Sequence, residues 1–184
     1  METSGTTAEA GFAIREERAG DEAAIEALHR EAFGGPGEAT LVARLREAGR
    51  TRVSLVATAP GEIAVLGHVL FTPVLIPGHV RTRLMGLAPL AVREAWRGRG
   101  VGSALVRAGL DACRALDIAA VAVLGDPAYY GRFGFGTGAA RGIDCEYEVP
   151  DEAFALVELR PGALDGVGGT LFYDELFSAL EEAP

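Results

Sequence analysis

Apolar and polar residues alternate through "GFAIREE" (residues 11–17), and a period of two predicts a first strand there. The period then changes. In "GDEAAIEALHREAF" (20–33) Ala24, Ile25, Leu28 and Phe33 fall at helical spacing behind Asp21, which is suited to cap the start. "GGPGE" interrupts the chain, and "ATLVARLREAG" (39–49) gives a second helix closed by Gly49. "RVSLVATA" and "IAVLGHVLFTPVLI" read as two strands of a hairpin joined at "PGE", and "RLMGLAPLAV" (83–92) as another strand. "VGSALVRAGLDACRAL" (101–116) is the strongest helix, with Val101, Leu105, Ala108 and Ala112 along one face. "AAVAVLG" (119–125) is nearly all apolar, as a strand covered on both faces is. After "DPAYYGRFGFG" the pattern turns irregular, until "FALVEL" and "TLFYDELF" offer closing strands. Antiparallel strands first and a strand–helix–strand unit in the middle predict an α/β (α+β) fold, a mixed sheet flanked by helices.

Composition narrows the class. The 184 residues suit one domain, expected over 11–184 behind a disordered tail at 1–10. No apolar run reaches the ~20 residues of a membrane span, and the first residues lack a basic segment followed by an apolar one. A cytoplasmic protein with no membrane partner is expected. Cys113 and Cys145 are too few for a disulfide framework, and His29, His68 and His79 are too scattered for a metal cluster. The net charge of −9 is uneven: from Asp144 onward eleven acids face Arg160 alone, giving −10 and leaving the rest at +1. That balance argues against nucleic acid as a partner, and it would draw in a cation if it faced a binding cleft. All 17 basic residues are arginine, so lysine-dependent phosphate loops and Schiff bases are excluded.

Against this background "AVREAWRGRGVGSALV" (91–106) is unusual. Three arginines, Arg93, Arg97 and Arg99, face the single Glu94, and glycines stand at 98, 100 and 102 directly ahead of the strongest helix. A helix's first turn has backbone N–H groups without partners and partial positive charge, and glycines let the preceding chain curl into further donors. An anion, above all a phosphate, fits there. The other reading is a tight strand-to-helix turn with exposed arginines. A dinucleotide fingerprint is a weaker rival, since it would need glycine where Ser103 stands.

"RGRGVG" (97–102), between a strand and a long helix, resembles the Q/R-x-x-G-x-G/A signature of the GCN5-related N-acetyltransferase (GNAT) superfamily. "GHVLFTPV", "LAPLAV", "VLGDPAYYGRFGF" and "YEVPDEAFALVEL", in that order, resemble the bacterial YhbS-type N-acetyltransferases over nearly the whole chain after its first residues. The resemblance implies a central, mostly antiparallel sheet with a bulged and splayed strand pair. Pro89, which cannot donate to a sheet ladder, agrees with a splay at that strand. It also implies acetyl-CoA as cosubstrate, with the pantetheine arm along Leu90, Ala91 and Val92. The phosphates would lie on Arg97, Gly98, Arg99, Gly100, Val101, Gly102 and Ser103.

The resemblance carries a catalytic role onto Tyr130, which precedes Gly134-Phe135 at the family's spacing and would protonate the leaving thiolate. Tyr129 reads as packing, Arg132 as an exposed helix residue, and Cys113 as core. Asp126 followed by Pro127 is a good helix start. The base that deprotonates the amine is less plain, because "LMGLAPLAV" holds no acid. His68, with a side-chain pKa near working pH, and Glu38, expected in the loop between the first two helices, are the candidates. The activity implied is direct transfer of an acetyl group to an amine of a small molecule or peptide, by a monomer or homodimer. The alternative is a non-catalytic CoA-binding regulatory module, which would have no need of Tyr130.

Overall fold

The computed structural model describes residues 11–60 and 64–180; the expected N-terminal tail lies outside these residues, as does most of the "PGE" turn. Among the described residues nine strands form, in chain order β1 (Ala13–Glu16), β2 (Val53–Thr58), β3 (Val65–Val74), β4 (Leu84–Val92), β5 (Ala120–Leu124), β6 (Gly136–Thr137), β7 (Ile143–Cys145), β8 (Phe154–Glu158) and β9 (Gly169–Leu171). The α-helices are α1 (Glu22–Phe33), α2 (Gly37–Glu47), α3 (Val101–Ala115) and the single turn α4 (Pro127–Tyr130). Seven strands order as β1-β2-β3-β4-β5-β8-β6, and β7 pairs with β9 apart from them. The large sheet is antiparallel except where β4 runs parallel to β5. That parallel pair is joined through α3, so the mixed α/β sheet follows the strand–helix–strand reading of the sequence.

The chain clusters into two compact units. The first takes the described parts of 1–70, 89–109 and 176–184. In it β1 and β2 register antiparallel, Ala13 with Thr58 through Glu16 with Leu55. Helices α1 and α2 pack on each other, and Ile25, Leu28, Leu41, Val42 and Leu45 turn their inner faces to the core. Gly34 ends α1 in the left-handed conformation that favours glycine, its N–H on the Arg30 carbonyl. Asp21 stands at the start of α1 but caps it differently from the expectation. Its carboxylate turns back to the Arg15 guanidinium at 2.6 Å and the Arg18 N–H at 2.8 Å, and makes no cap bond to the helix.

The second unit takes 71–88 and 110–175. β5 is buried along Ala120–Val123 and lies antiparallel to β8, Ala120 with Glu158 through Leu124 with Phe154. The closing "TLFYDELF" differs from expectation: only its first two residues belong to β9, and Glu175–Leu180 forms 3-10 turns. The buried face of α3 is rotated from the one its alanines suggested. Val101, Leu105, Val106, Leu110 and Cys113 are buried, whereas Ala108 and Ala112 are half-exposed.

Candidate active site

The glycine–arginine loop is an open backbone surface. Gly98 and Gly100 have φ of +72° and +85°, and a Cβ at either would meet nothing within 4 Å. Glycine is needed there for the backbone, and the space it leaves is solvent. The first bond of α3 runs from the Ala104 N–H to the Gly100 carbonyl at 2.9 Å, so the N–H groups of Val101, Gly102 and Ser103 lie ahead of the helical ladder. Arg99 is exposed and lies over the Trp96 ring at 5.3 Å from its centroid. Arg97, also exposed, donates to the Val92 carbonyl at 3.1 Å and the Ala32 carbonyl at 3.5 Å. Arg93 is spent elsewhere: it donates to the Val65 carbonyl and pairs with Glu31 at 2.6 Å. Arg97 and Arg99 are therefore the cations that this loop offers to an anion.

What seats the loop is Gly67, which sequence reasoning passed over. A Cβ on Gly67 would stand 2.9 Å from Leu105 Cδ1, 3.0 Å from Val101 Cγ1 and 3.1 Å from the Ala91 carbonyl oxygen. Its bare backbone lets β3, the end of β4 and the start of α3 approach closely, and a lone glycine within a strand pattern is the signal for that. β4 registers with β5 only from Leu84 to Gly86, although both strands run on. No residue from Leu87 to Val92 takes a partner in that register. Ala91 is buried, while Leu90 and Val92 are half-buried.

Tyr130 closes α4. Asp126 caps that turn through the Ala128 N–H at 2.8 Å, with Pro127 in the first helical position, as the sequence predicts. The Tyr130 ring meets Tyr129 and Phe135 edge-on at centroid distances of 5.0 and 5.6 Å. A Cβ on Gly125 would strike it at 2.6 Å, so Gly125 makes the room for this ring. Burial, reinforced by Tyr129, pushes the phenol up to about 12 and keeps it protonated at neutral pH. Arg132 stacks over Tyr129 at 4.5 Å. Burial also lifts the Cys113 thiol to about 12, which suits core rather than nucleophile.

Glu38 is on the second residue of α2, not in the loop before it, and is half-buried there. A first-turn carboxylate is favoured by the helix dipole. His68 lies in a buried polar chain that the sequence did not reveal. Its Nδ1 is 2.8 Å from His29 Nε2, and its Nε2 is 2.9 Å from Ser54 Oγ and 3.8 Å from Glu17 Oε2. Ser54 donates a short hydrogen bond to Glu17, and Arg46 Nε reaches the other Glu17 oxygen at 2.8 Å. His68 and His29 are fully buried, and both ring nitrogens of His68 are engaged. Burial depresses His68 against the opposing pull of Glu17, and it pushes His29 down to about 3 with help from His68 and Arg46. Burial would raise Glu17, but the hydrogen bonds of His68 and Ser54 and the Arg46 charge outweigh it, to about 2. His29 Nδ1 has no hydrogen-bond partner among the described residues, a vacancy that costs on the order of 1–3 kcal/mol in a folded core.

Known proteins are similar to this chain in sequence and in fold. The profile of the "Acetyltransferase (GNAT) domain" matches residues 13–138. The uncharacterized N-acetyltransferase YhbS of Escherichia coli K12 is 42% identical over 165 residues, 90% of this chain and 98% of YhbS. The crystal structure of E. coli YhbS in complex with CoA superimposes with a TM-score of 0.86, covering 91% of this chain and 92% of that one. A GNAT acetyltransferase from Brucella melitensis, in complex with acetyl-CoA, is 33% identical with a TM-score of 0.75, covering 90% and 97%. Among the described residues no helix is long and apolar enough to cross a membrane.

Proposed function

The chain belongs to the GNAT acetyltransferase family, and from that premise we propose that it binds acetyl-CoA on the 97–103 loop and passes the acetyl group directly to an amine. The observation that carries the binding site is the loop itself. Two left-handed glycines in open space, the N–H groups ahead of α3, and the exposed Arg97 and Arg99 fit a pyrophosphate in shape and charge. Acetyl-CoA supplies an activated thioester. The end of β4, Leu90 to Val92, offers backbone to the pantetheine arm, as the resemblance implies.

Tyr130 is the proton donor toward the leaving sulfur. A phenol at about 12 facing a thiol of ordinary acidity, ~8.5, would give up its proton uphill by roughly 5 kcal/mol. Tyr130 therefore acts first as a hydrogen-bond donor that strengthens as negative charge grows on sulfur, and only then as an acid. No acyl-enzyme is needed, and the raised thiols of Cys113 and Cys145 suit none. The acceptor is an amine on a small molecule or peptide, positively charged before reaction. The protein works in the cytoplasm as a single N-acetyltransferase domain over 11–184, monomeric or as a homodimer.

Native mass spectrometry of the purified protein, followed by thiol release from acetyl-CoA across a panel of amines and peptides, tests this reading. A CoA-sized adduct and release with at least one amine are expected. Lack of any acetyl-CoA binding overturns the proposal.

A further inference from the structure

The glycine–arginine loop is pinned at both ends to the first residues of β3, Val65, Leu66 and Gly67. At its near end the Arg93 N–H donates to the Leu66 carbonyl at 2.8 Å, and Arg93 Nε donates to the Val65 carbonyl at 2.8 Å. At its far end Leu105 and Val101 close on Gly67, where a Cβ would stand 2.9 and 3.0 Å from them. Between these points the chain is open: from Glu94 to Gly100 every residue is exposed except the half-buried Trp96. Arg97 reaches back to the Val92 and Ala32 carbonyls, but it is also a side chain that phosphates would draw away. The place of the 97–103 donors is therefore decided at the two ends. Buried packing of Val101 and Leu105 secures the far one. The near one depends on polar bonds.

We infer that Arg93 is the positioning residue of this loop: it fixes where the chain leaves β4, and so where the N–H groups stand that meet the pyrophosphate. The inference rests on the acetyl-CoA reading of the loop given above. Several bonds converge on this one residue. Its main-chain N–H carries the contact with β3 one residue past the end of β4. Its guanidinium holds the Val65 carbonyl through Nε and the Glu31 carboxylate of α1 through Nη1 at 2.6 Å. Its carbonyl accepts from the Trp96 N–H at 2.9 Å, which opens the 3-10 turn Glu94–Trp96, and the Arg97 N–H follows on the Glu94 carbonyl at 3.1 Å. A guanidinium is planar and its donors are fixed relative to one another, so bonds from Nε and Nη1 together set its orientation.

Charge separates Arg93 from its neighbours. Paired with Glu31, it brings no net charge to a pyrophosphate, whereas Arg97 meets only carbonyls and Arg99 the Trp96 ring. An exposed ion pair on its own contributes little. Here the same guanidinium also ties a strand carbonyl, and Glu31 lies in the last turn of α1, where the helix dipole favours a cation. The pair thus joins β3, α1 and the start of the loop, although neither member needs to touch the cofactor.

Hydrogen exchange and calorimetry test this. In the ligand-free protein, exchange of the Trp96 and Arg97 amides should quicken about tenfold in Arg93→Gln, with the amides of β2 unchanged. Arg93→Gln should weaken acetyl-CoA binding about tenfold yet keep the wild-type dependence on salt, and Arg93→Lys should recover part of the loss. Arg97→Gln and Arg99→Gln should flatten that salt dependence, as the loss of a direct phosphate partner does. Glu31→Gln should weaken binding about threefold in the wild type and add nothing to Arg93→Gln. With an active amine, Arg93→Gln should raise the KM for acetyl-CoA about tenfold and hold kcat at saturation within about twofold. Wild-type affinity in Arg93→Gln overturns the inference, and so does a flattened salt dependence, which would make Arg93 a phosphate ligand. Should the wild-type protein bind no acetyl-CoA, the functional proposal fails by that result. Exchange in Arg93→Gln then decides alone whether Arg93 fixes the loop, and unchanged rates overturn it.

Discussion

The 97–103 loop and the His29–His68–Ser54–Glu17 chain do opposite things with polar groups. The loop presents backbone: its glycines have open space where side chains would be, and Arg97 and Arg99 are exposed. An N–H donor that water can reach costs the fold almost nothing, so such a surface can wait for a ligand. The histidine chain presents side chains, and its two rings are fully buried. There each polar atom needs a partner or charges the fold for its absence, and each charge shifts its neighbours strongly. The loop can thus change sequence at several positions and still bind through N–H groups. The chain depends on each member in turn, because Ser54 has one hydroxyl proton, which goes to Glu17, and His68 must answer the oxygen that is left.

Adding bulk and negative charge to the loop should break one region and spare the other. Gly100→Glu puts a carboxylate at the proposed phosphate position and an L side chain at φ +85°. Loss of measurable acetyl-CoA binding in calorimetry is expected, with the fold intact by circular dichroism because Gly100 is exposed. Unchanged affinity would remove the loop from the binding site.

Tyr130→Phe sharpens the contrast by removing chemistry and keeping binding. Turnover on an active amine should fall by about 10²–10⁴-fold, the usual loss for a proton donor, with acetyl-CoA affinity retained. The ring packing on Phe135 and against Gly125 survives the change. Full turnover in steady-state assays would return Tyr130 to a packing role.

Acid should act on the buried chain and leave the loop alone. His29 is held down to about 3, below the ordinary histidine value, and His68 is lowered in the same direction. The unfolded chain binds protons that the folded chain refuses. Stability from these rings is thus full above about pH 6.5 and is lost as pH falls from there toward 3. Glu17, held at about 2, adds a loss that begins as pH falls through its ordinary value of 4.5 and runs on toward 2. From pH 7.5 to 5 the unfolding free energy should drop by roughly 2 kcal/mol from His29 alone. Urea titrations across this range check it: a flat profile down to pH 5 would mean that the rings already accept protons in the folded state.

The two regions also differ in what the sequence discloses. A backbone site needs its glycines and its helix start close together, so "RGRGVG" is readable as a string, as are β4, α3 and the Asp126–Pro127 turn. The chain from Glu17 to His68 is assembled from the residue after β1 and from α1, β2 and β3: His29 and His68 lie 39 residues apart, and Ser54 and His68 fourteen. Only the register of the sheet and the packing of α1 bring them together. The rotation of the buried face of α3 has a similar cause. Alanines at 108 and 112 fit the apolar pattern, but the larger Val106 and Leu110 gain more by burial and win the inward face. Gly67 and Gly125 were legible as glycines, but the neighbours that require them are side chains and backbone from elsewhere in the fold.

The smallest effect should come from the acidic segment. Asp144, Glu146, Glu148, Asp151 and Glu152 are all exposed within nine residues of chain, and from Asp144 onward the charge is −10. Under the proposed function Arg97 and Arg99 would answer the cofactor's phosphates, and the acidic segment would act as a field on an acceptor that passes it. A cationic amine is drawn in by it and an acidic one repelled. Between exposed charges the attraction is screened over ~8 Å at physiological salt. Raising salt should therefore lower kcat/KM for a cationic amine a few-fold and leave kcat nearly unchanged, since the charges act on encounter and not on the reacting groups. Steady-state kinetics over a salt series measures this directly. A flat kcat/KM would make the acidic segment plain solvated surface, and a rising one would show that it repels the acceptor.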